Sequence, residues 1–337
     1  MIRVVVVEDS LVQRAHLVRA LEADGDITVV GQATDAHEAI DVVRSQKPDV
    51  VTLDLGIPGG GGVHAIEQIM AFSPVPILVL SASVTGRESQ AAVEALLAGA
   101  VDALPKAASW GADAERAVRE RVRVLRGVSV VRHPRGRLAA GRAARSAAGA
   151  TSRTATPIVA IGASTGGPAA LATVLAGFGG LGAAVLVVQH LHPGFIDGFV
   201  SWMRRVSGLP VEIATDGAAL RSGVVYVGPG EVHLKVGRDD HIVLDPEPPS
   251  LHRPSVNVLF SSLAVRSDRR RVGVLLTGMG DDGAAGLLAL RRSGAVTIAQ
   301  DEATSIVYGM PHAARRMDAA TRVLPLEEIA AAVMRAS

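Results

Sequence analysis

Short apolar runs alternate with segments of helical period along the first third of the chain. Ile2–Val7 is a β-branched run that reads as a strand, and Leu11–Ala23 follows with an amphipathic helical pattern. Ile27–Ala33, Val50–Leu55, Ile77–Ser81 and Ala100–Leu104 repeat the strand signal. His37–Ser45, Val63–Phe72, Glu88–Ala98 and Ala112–Leu125 repeat the helical one. Five βα units predict a parallel, doubly wound sheet, with ligands held beyond the C-terminal ends of the strands. In the second half Pro157–Gly162, Ala184–Gln189 and Val272–Leu276 read as strands, and Ala169–Leu175 as a helix. Between the halves, residues 127–155 are rich in Ala, Gly and Arg and show no sustained apolar period. That is the pattern of a flexible linker. The expected organisation is therefore an α/β domain over 1–126, a linker over 127–155 and a second α/β domain over 156–337.

Charge sharpens this division. The 337 residues carry a formal net charge of +1. Residues 1–126 hold 12 basic and 17 acidic side chains, 127–155 hold 6 Arg and no acid, and 156–337 hold 16 of each. An Arg-rich stretch can contact nucleic acid. The folded halves offer no second basic patch, aromatics are 3% and no helix-turn-helix pattern occurs, so no nucleic-acid partner is expected. No apolar run reaches the roughly 18–20 residues of a membrane span. The start, MIRVVVVEDS, is too short and too acidic for a signal peptide, which points to the cytoplasm. With no cysteine, disulfides, thiolate metal sites and a Cys nucleophile are excluded.

The strand ends of the first half gather chemistry. Glu8 and Asp9 follow the first strand, Asp54 ends the third and Ser81 the fourth. Lys106, one of three lysines in the chain, follows the fifth. Acids at strand ends are often helix caps or solvated turns. Three carboxylates in one crevice repel unless a hard cation neutralises them, and Mg²⁺ suits oxygen ligands. A carboxylate beside Mg²⁺ can attack a phosphoryl group. A Lys ammonium and a Ser hydroxyl can then hold the phosphoryl oxygens. This pattern resembles the response-regulator receiver domain. The resemblance implies that Asp54 is the phospho-acceptor and that Glu8, Asp9, Asp54 and the Gly56 carbonyl bind Mg²⁺. It also implies that Ser81 and Lys106 contact the phosphoryl group. The chain departs from the family pattern in the loop Ile57-Pro58-Gly59-Gly60-Gly61-Gly62, in Pro105-Lys106-Ala107 where the family has Lys-Pro, and in Ala103 where it has an aromatic switch residue.

In the second half, the strand Pro157–Gly162 runs into Ala163-Ser164-Thr165-Gly166-Gly167-Pro168 and then a helix. A strand, a tight Gly turn and a helix can expose a Ser hydroxyl, as in G-x-S-x-G, or can bind the phosphates of a nucleotide. A serine nucleophile needs a base and an orienting acid. His190 ends the strand Ala184–Gln189, and Asp281 and Asp282 follow Val272–Leu276, so all fall on one sheet edge. The plainer reading makes His190 a structural histidine and the two acids caps of the helix starting near Gly283. The order Ser–His–Asp differs from that of α/β-hydrolases. His190 and His192 have no His-Glu-x-x-His around them, which disfavours a metal site.

Several separate motifs resemble the chemotaxis protein-glutamate methylesterase family, CheB. They are Gly162-Ala-Ser164-Thr-Gly-Gly, Gln189-His190, Pro193-Gly194-Phe195, His252-Arg253-Pro254-Ser255-Val256 and Leu276-Thr277-Gly278-Met279-Gly280-Asp281-Asp282-Gly283. The resemblance implies a receiver followed by a Rossmann-like, doubly wound α/β esterase domain. In it Ser164 is the nucleophile, His190 the base, Asp282 the orienting acid and the Met279 N–H an oxyanion donor. The implied enzyme is a phosphorylation-regulated serine hydrolase that removes methyl groups from receptor glutamates and deamidates specific glutamines. It needs Mg²⁺ for receiver phosphorylation and no cofactor for ester hydrolysis. Its partners would be the cytoplasmic domains of methylated chemoreceptors and a histidine kinase of the chemotaxis type, with no direct membrane insertion. A signalling adaptor and a DNA-binding response regulator are the rival classes.

Overall fold

The structure, a computed structural model, describes residues 1–81, 87–106, 111–128, 130, 156–250, 252–266 and 268–337. Most of the stretch read as a linker lies outside these residues, as does Ala107. The chain divides into two compact units, Met1–Arg137 and Leu138–Ser337.

The first unit runs β1 (Ile2–Val7), α1 (Leu11–Glu22), β2 (Ile27–Ala33), α2 (Ala36–Gln46), β3 (Val50–Asp54), α3 (Gly61–Phe72), β4 (Ile77–Ser81), α4 (Arg87–Ala98), β5 (Asp102–Pro105) and α5 (Ala112–Leu125). Its strands form one parallel sheet in the order β2-β1-β3-β4-β5. Helices on both faces explain the continuous apolar runs: Val4 to Val7 are each at most 1% exposed. Short polar side chains start the first two helices. The Ser10 hydroxyl accepts from the Gln13 N–H, and the Asp35 carboxylate from those of His37 and Glu38. The fifth strand begins at Asp102, two residues later than the apolar run suggests. Ala100 and Val101 are buried in the turn before it.

The second unit comprises β6 (Ile158–Ala163), α6 (Gly167–Ala176), β7 (Ala184–Gln189), α7 (Ile196–Ser207), β8 (Val211–Ile213), β9 (Val225–Val227), β10 (His233–Val236), β11 (Ile242–Asp245), α8 (Val256–Ala264), β12 (Arg271–Leu275), α9 (Ala284–Arg292), β13 (Val296–Gln300), α10 (Met310–Arg316), β14 (Arg322–Leu324) and α11 (Leu326–Ala336). Seven strands form a parallel sheet in the order β14-β13-β12-β6-β7-β9-β8, while β10 and β11 pair as an antiparallel hairpin. The chain builds outward from β6 to β7, then returns to the other side of β6 and builds outward again from β12. The strand order therefore reverses between β6 and β12, and ligands of such sheets bind at that point. Ser164 leaves the C-terminal end of β6, and the Thr277–Gly283 loop leaves that of β12. No helix among the described residues is long and apolar enough to cross a membrane.

Candidate active site

The turn after β6 is fixed by its backbone. The Ser164 N–H donates to the Thr277 carbonyl at 3.0 Å, and the Gly167 N–H donates to the Ser164 carbonyl at 2.7 Å. Gly166 has φ +75°, and a Cβ on it would run into Ile306, 2.6 Å away. Glycine is required there for both reasons. Ser164 is buried at 6% exposure.

His190 follows β7 directly, and its N–H donates to the Ala163 carbonyl at 2.9 Å. Gln189, fully inside, donates from Nε2 to the carbonyls of Ser164 (2.9 Å) and His190 (3.0 Å). One amide thus ties together the backbone at the two positions. Gly167 lacks the Cβ that would collide with the Gln189 Oε1. His190 Nε2 lies 2.9 Å from Asp282 Oδ2, its Nδ1 is buried with no partner among the described residues, and its ring stacks on His252 at 4.3 Å. An ionised carboxylate only accepts, so Nε2 carries the proton and Nδ1 keeps a free lone pair.

Asp282 does not cap its own helix α9. Its carboxylate sits at the N-terminus of α8, where Oδ1 accepts from the Ser255 hydroxyl (2.8 Å) and the Asn257 N–H (3.0 Å). Oδ2 accepts from the Val256 N–H (2.7 Å) and from His190. Burial alone would push this carboxyl up. The hydrogen bond and electrostatic pull of His190, with the Asn257 and Ser255 donors, outweigh it and bring the pKa to about 2. Asp282 is therefore an anion at neutral pH with four donors on two oxygens. A second layer holds Ser255, whose N–H donates to His233 Nδ1 at 3.0 Å while His233 Nε2 donates to the Pro248 carbonyl at 2.8 Å. Asp281 beside it is exposed. Two glycines admit α8 to this place. A Cβ on Gly162 or on Gly283 would collide with the Val256 side chain.

The backbone beside Ser164 is equally crowded. A Cβ on Gly278 would lie 2.7 Å from Ser164 Cβ and would strike the Met310 sulfur. The Gly278 carbonyl accepts from the N–H groups of Gly309 (3.1 Å) and Met310 (2.8 Å), which pins the segment leading into Met279.

In the first unit the C-terminal sheet edge carries a separate cluster. Carboxylate oxygens of Glu8, Asp9 and Asp54 come within 4.8 Å of one another. The Lys106 ammonium bridges Glu8 Oε2 at 2.5 Å and Asp54 Oδ2 at 3.0 Å. Burial pushes the Glu8 carboxyl above its ordinary range, against the pull of Lys106. Burial would also lower the Lys106 ammonium, but the two carboxylates hold it above its ordinary value. Gly56 stands beside Asp54, a Cβ there falling 3.6 Å from Asp54 Oδ2. Ser81 is buried, and its carbonyl accepts from the Lys106 N–H at 2.6 Å. This oxygen-only donor set, with one carboxylate kept exposed at Asp9, fits a hard divalent cation such as Mg²⁺.

Residues 159–333 match the family model for CheB methylesterase, and residues 4–112 match that for the response regulator receiver domain. The chain is 42% identical over 341 residues to the protein-glutamate methylesterase/protein-glutamine glutaminase of Nitrosospira multiformis, spanning 99% of this chain and 96% of the relative. The chain belongs to the CheB methylesterase family. A second member, from Pseudomonas aeruginosa, is 40% identical over 337 residues, spanning 99% of this chain and 96% of that one. The crystal structure of the Thermotoga maritima CheB methylesterase catalytic domain superposes with a TM-score of 0.50 at 32% identity, covering 54% of this chain and 98% of that domain.

Against this family background, the residues singled out in the sequence fall into two separate groups. Ser164, His190, Asp282 and Met279 all lie on one sheet edge of the second unit. Glu8, Asp9, Asp54, Gly56, Ser81 and Lys106 lie on one edge of the first. Gln189, His233, His252 and Ser255 support the first group. Three of them stand in motifs quoted above, yet nothing in the sequence assigns them partners. The contacts of Ser255 with Asp282 and of Gln189 with Ser164 join residues 27 and 25 apart.

Proposed function

We propose that Ser164, His190 and Asp282 hydrolyse the γ-methyl ester of glutamyl side chains on chemoreceptors, and the carboxamide of specific glutamines. The receiver around Asp54 controls the rate. The observation that carries this reading is the His190–Asp282 pair, with Nε2 committed to a four-donor carboxylate and Nδ1 left open at the switch-point edge. His190 Nδ1 takes the proton of the Ser164 hydroxyl as Oγ attacks the ester carbonyl carbon. In the familiar serine triad Nε2 does this work and Nδ1 faces the acid; here the ring is reversed. Backbone N–H groups, that of Met279 among them, hold the tetrahedral oxyanion. The intermediate collapses, the imidazolium gives its proton to the leaving methoxide, and methanol departs. A water then loses its proton to Nδ1 and attacks the acyl-Ser164 carbonyl, which releases the glutamate carboxylate. For glutamine the leaving group is ammonia. None of these steps calls on a metal.

In the receiver, assigned to residues 1–126 with a linker over 127–155 and the catalytic domain over 156–337, Asp54 accepts the phosphoryl group. A histidine kinase of the chemotaxis type supplies it. Glu8, Asp9, Asp54 and the Gly56 carbonyl would hold Mg²⁺, which when bound neutralises charge between the carboxylate and the incoming phosphoryl oxygens. Ser81 and Lys106 contact those oxygens. Cytoplasmic receptor domains as substrate place the enzyme in the cytoplasm. The test is methanol release from methylated chemoreceptor membranes. Ser164→Ala should abolish it while Asp54 still takes phosphate from a small phosphodonor. Retained release in that variant would remove Ser164 as nucleophile.

A further inference from the structure

Beside the Gly278–Met279 backbone opens a cleft of about 670 Å³ lined by Glu302, Tyr308, His312, Arg315 and Arg316. It belongs to the catalytic edge. Gly278 and Tyr308 form a parallel bridge, and a Cβ on Gly309 would lie 3.2 Å from Met279 Cα. Through Tyr308 the cleft adjoins the Gly278 backbone, which abuts Ser164. Its walls are made of donors: two guanidiniums, an imidazole and a phenol, against the single carboxylate of Glu302. The Tyr308 hydroxyl is buried and has no hydrogen-bond partner among the described residues. Arg315 stands beside that hydroxyl, whose contact raises the guanidinium above its ordinary value, and in the field of Glu302. Tyr308 and His312 lie ring to ring at 5.5 Å. One net positive charge, a planar fork and an unspent hydroxyl match a carboxylate.

We infer that this cleft is a second substrate subsite, which takes a side-chain carboxylate of the same polypeptide whose glutamyl ester lies at Ser164. The inference rests on the methylesterase reading above and adds a specificity element to it. Every turnover of that reaction creates a glutamate carboxylate, so a substrate with several modified positions gains ligands for the cleft as it is demethylated. Hydrolysis of one ester then favours binding of the next.

Two peptides test it with the full chain. Each carries one glutamyl methyl ester, and the surrounding polar positions are all Glu in one and all Ser in the other. The quantity read is the ratio of kcat/KM for methanol release. In the unsubstituted enzyme the Glu peptide should be favoured about tenfold, the scale of one charge-assisted contact, mainly through KM and less so at high salt. In Arg315→Ala/Arg316→Ala the ratio should collapse toward one, and Arg315→Lys/Arg316→Lys should restore part of it. A ratio near one in the unsubstituted enzyme overturns the inference. So does a ratio that survives the alanine pair, because a merely structural loss lowers both peptides together. If neither peptide releases methanol, the methylesterase reading fails instead. Fluorescence anisotropy of the labelled Glu and Ser peptides then decides the cleft alone: loss of the Glu preference in the alanine pair supports it, and an unchanged preference rejects it.

Discussion

Four hydrogen bonds converge on the Asp282 carboxylate, and its chemistry follows from counting donors. Ser255 Oγ, Val256 N, Asn257 N and His190 Nε2 all point at two oxygens. Only a carboxylate has enough acceptor sites for them. In Asp282→Asn one oxygen becomes an NH₂ group and faces at least one N–H head-on. If it faces His190, it also reverses the ring tautomer and places a proton on Nδ1, where the Ser164 hydroxyl needs an acceptor. Methanol release should fall by about 10³–10⁴, and denaturant unfolding should show a loss of roughly 1–3 kcal/mol. The pH dependence has a definite sign. The folded carboxyl sits at about 2 against an ordinary 3.8. The stability it lends is therefore complete above 3.8 and is lost as pH falls through 2. The stability gap between the parent and Asp282→Asn should be constant near neutrality and should narrow between pH 4 and pH 2. A gap independent of pH over that window would mean that the carboxylate charge is not what the donors hold.

The element that brings Asp282 to His190 is α8, and it reaches its place because two glycines leave room for Val256. Gly162 lies inside β6, and a Cβ there would overlap the Val256 Cγ1. Gly162→Ala should push the α8 N-terminus away from the sheet and cost about 1–3 kcal/mol by overpacking. It should also lower kcat, because the donors to Asp282 move with the helix. Adding Val256→Ala removes the obstructing methyls, so the double variant should recover part of both losses. The coupling is read from denaturant midpoints and methanol release of the four proteins. Strict additivity would show that Gly162 and Val256 do not limit each other. The same elements explain what was legible beforehand. β1, β3, β4 and β7 are buried on both faces, so their β-branched runs announce them, and the residues that end them fall on one edge by topology alone. The three-residue strands β8, β9 and β14 carry too little pattern to be read. The N-terminus of α8 as the seat of Asp282 is a contact across some 26 residues. For that reason the sequence left Asp281 and Asp282 both open, and an acid that reads as a cap for α9 turns out to serve another helix.

At the scale of the whole molecule, two sheet-edge sites must communicate without the aromatic switch residue typical of receivers. Ala103 is 4% exposed in β5 and pairs with Val79 of β4. It is too small to swing between two positions. What the receiver does have is Lys106, stretched between Glu8 and Asp54, with its N–H bonded to the Ser81 carbonyl. A phosphoryl group on Asp54 adds about −1.5 to −2 charge. On the proposed phosphorylation it would draw the ammonium away from Glu8 and so pull on the β4–β5 edge, to which the Lys106 N–H is bonded. The Gly59-Gly60-Gly61 run, with φ of +79°, +106° and +85°, lets the loop after β3 adopt a conformation that side chains would resist. A backbone route of this kind predicts a graded response rather than an all-or-none one. In the full chain with Mg²⁺, a small phosphodonor should raise methanol release, and Asp54→Asn should abolish the rise while keeping the basal rate. Lys106→Ala should still accept phosphate but respond less, because the charge has lost the group it pulls. A full response in Lys106→Ala would show that the signal leaves Asp54 by another path, and the Gly-rich loop would then be the place to substitute next.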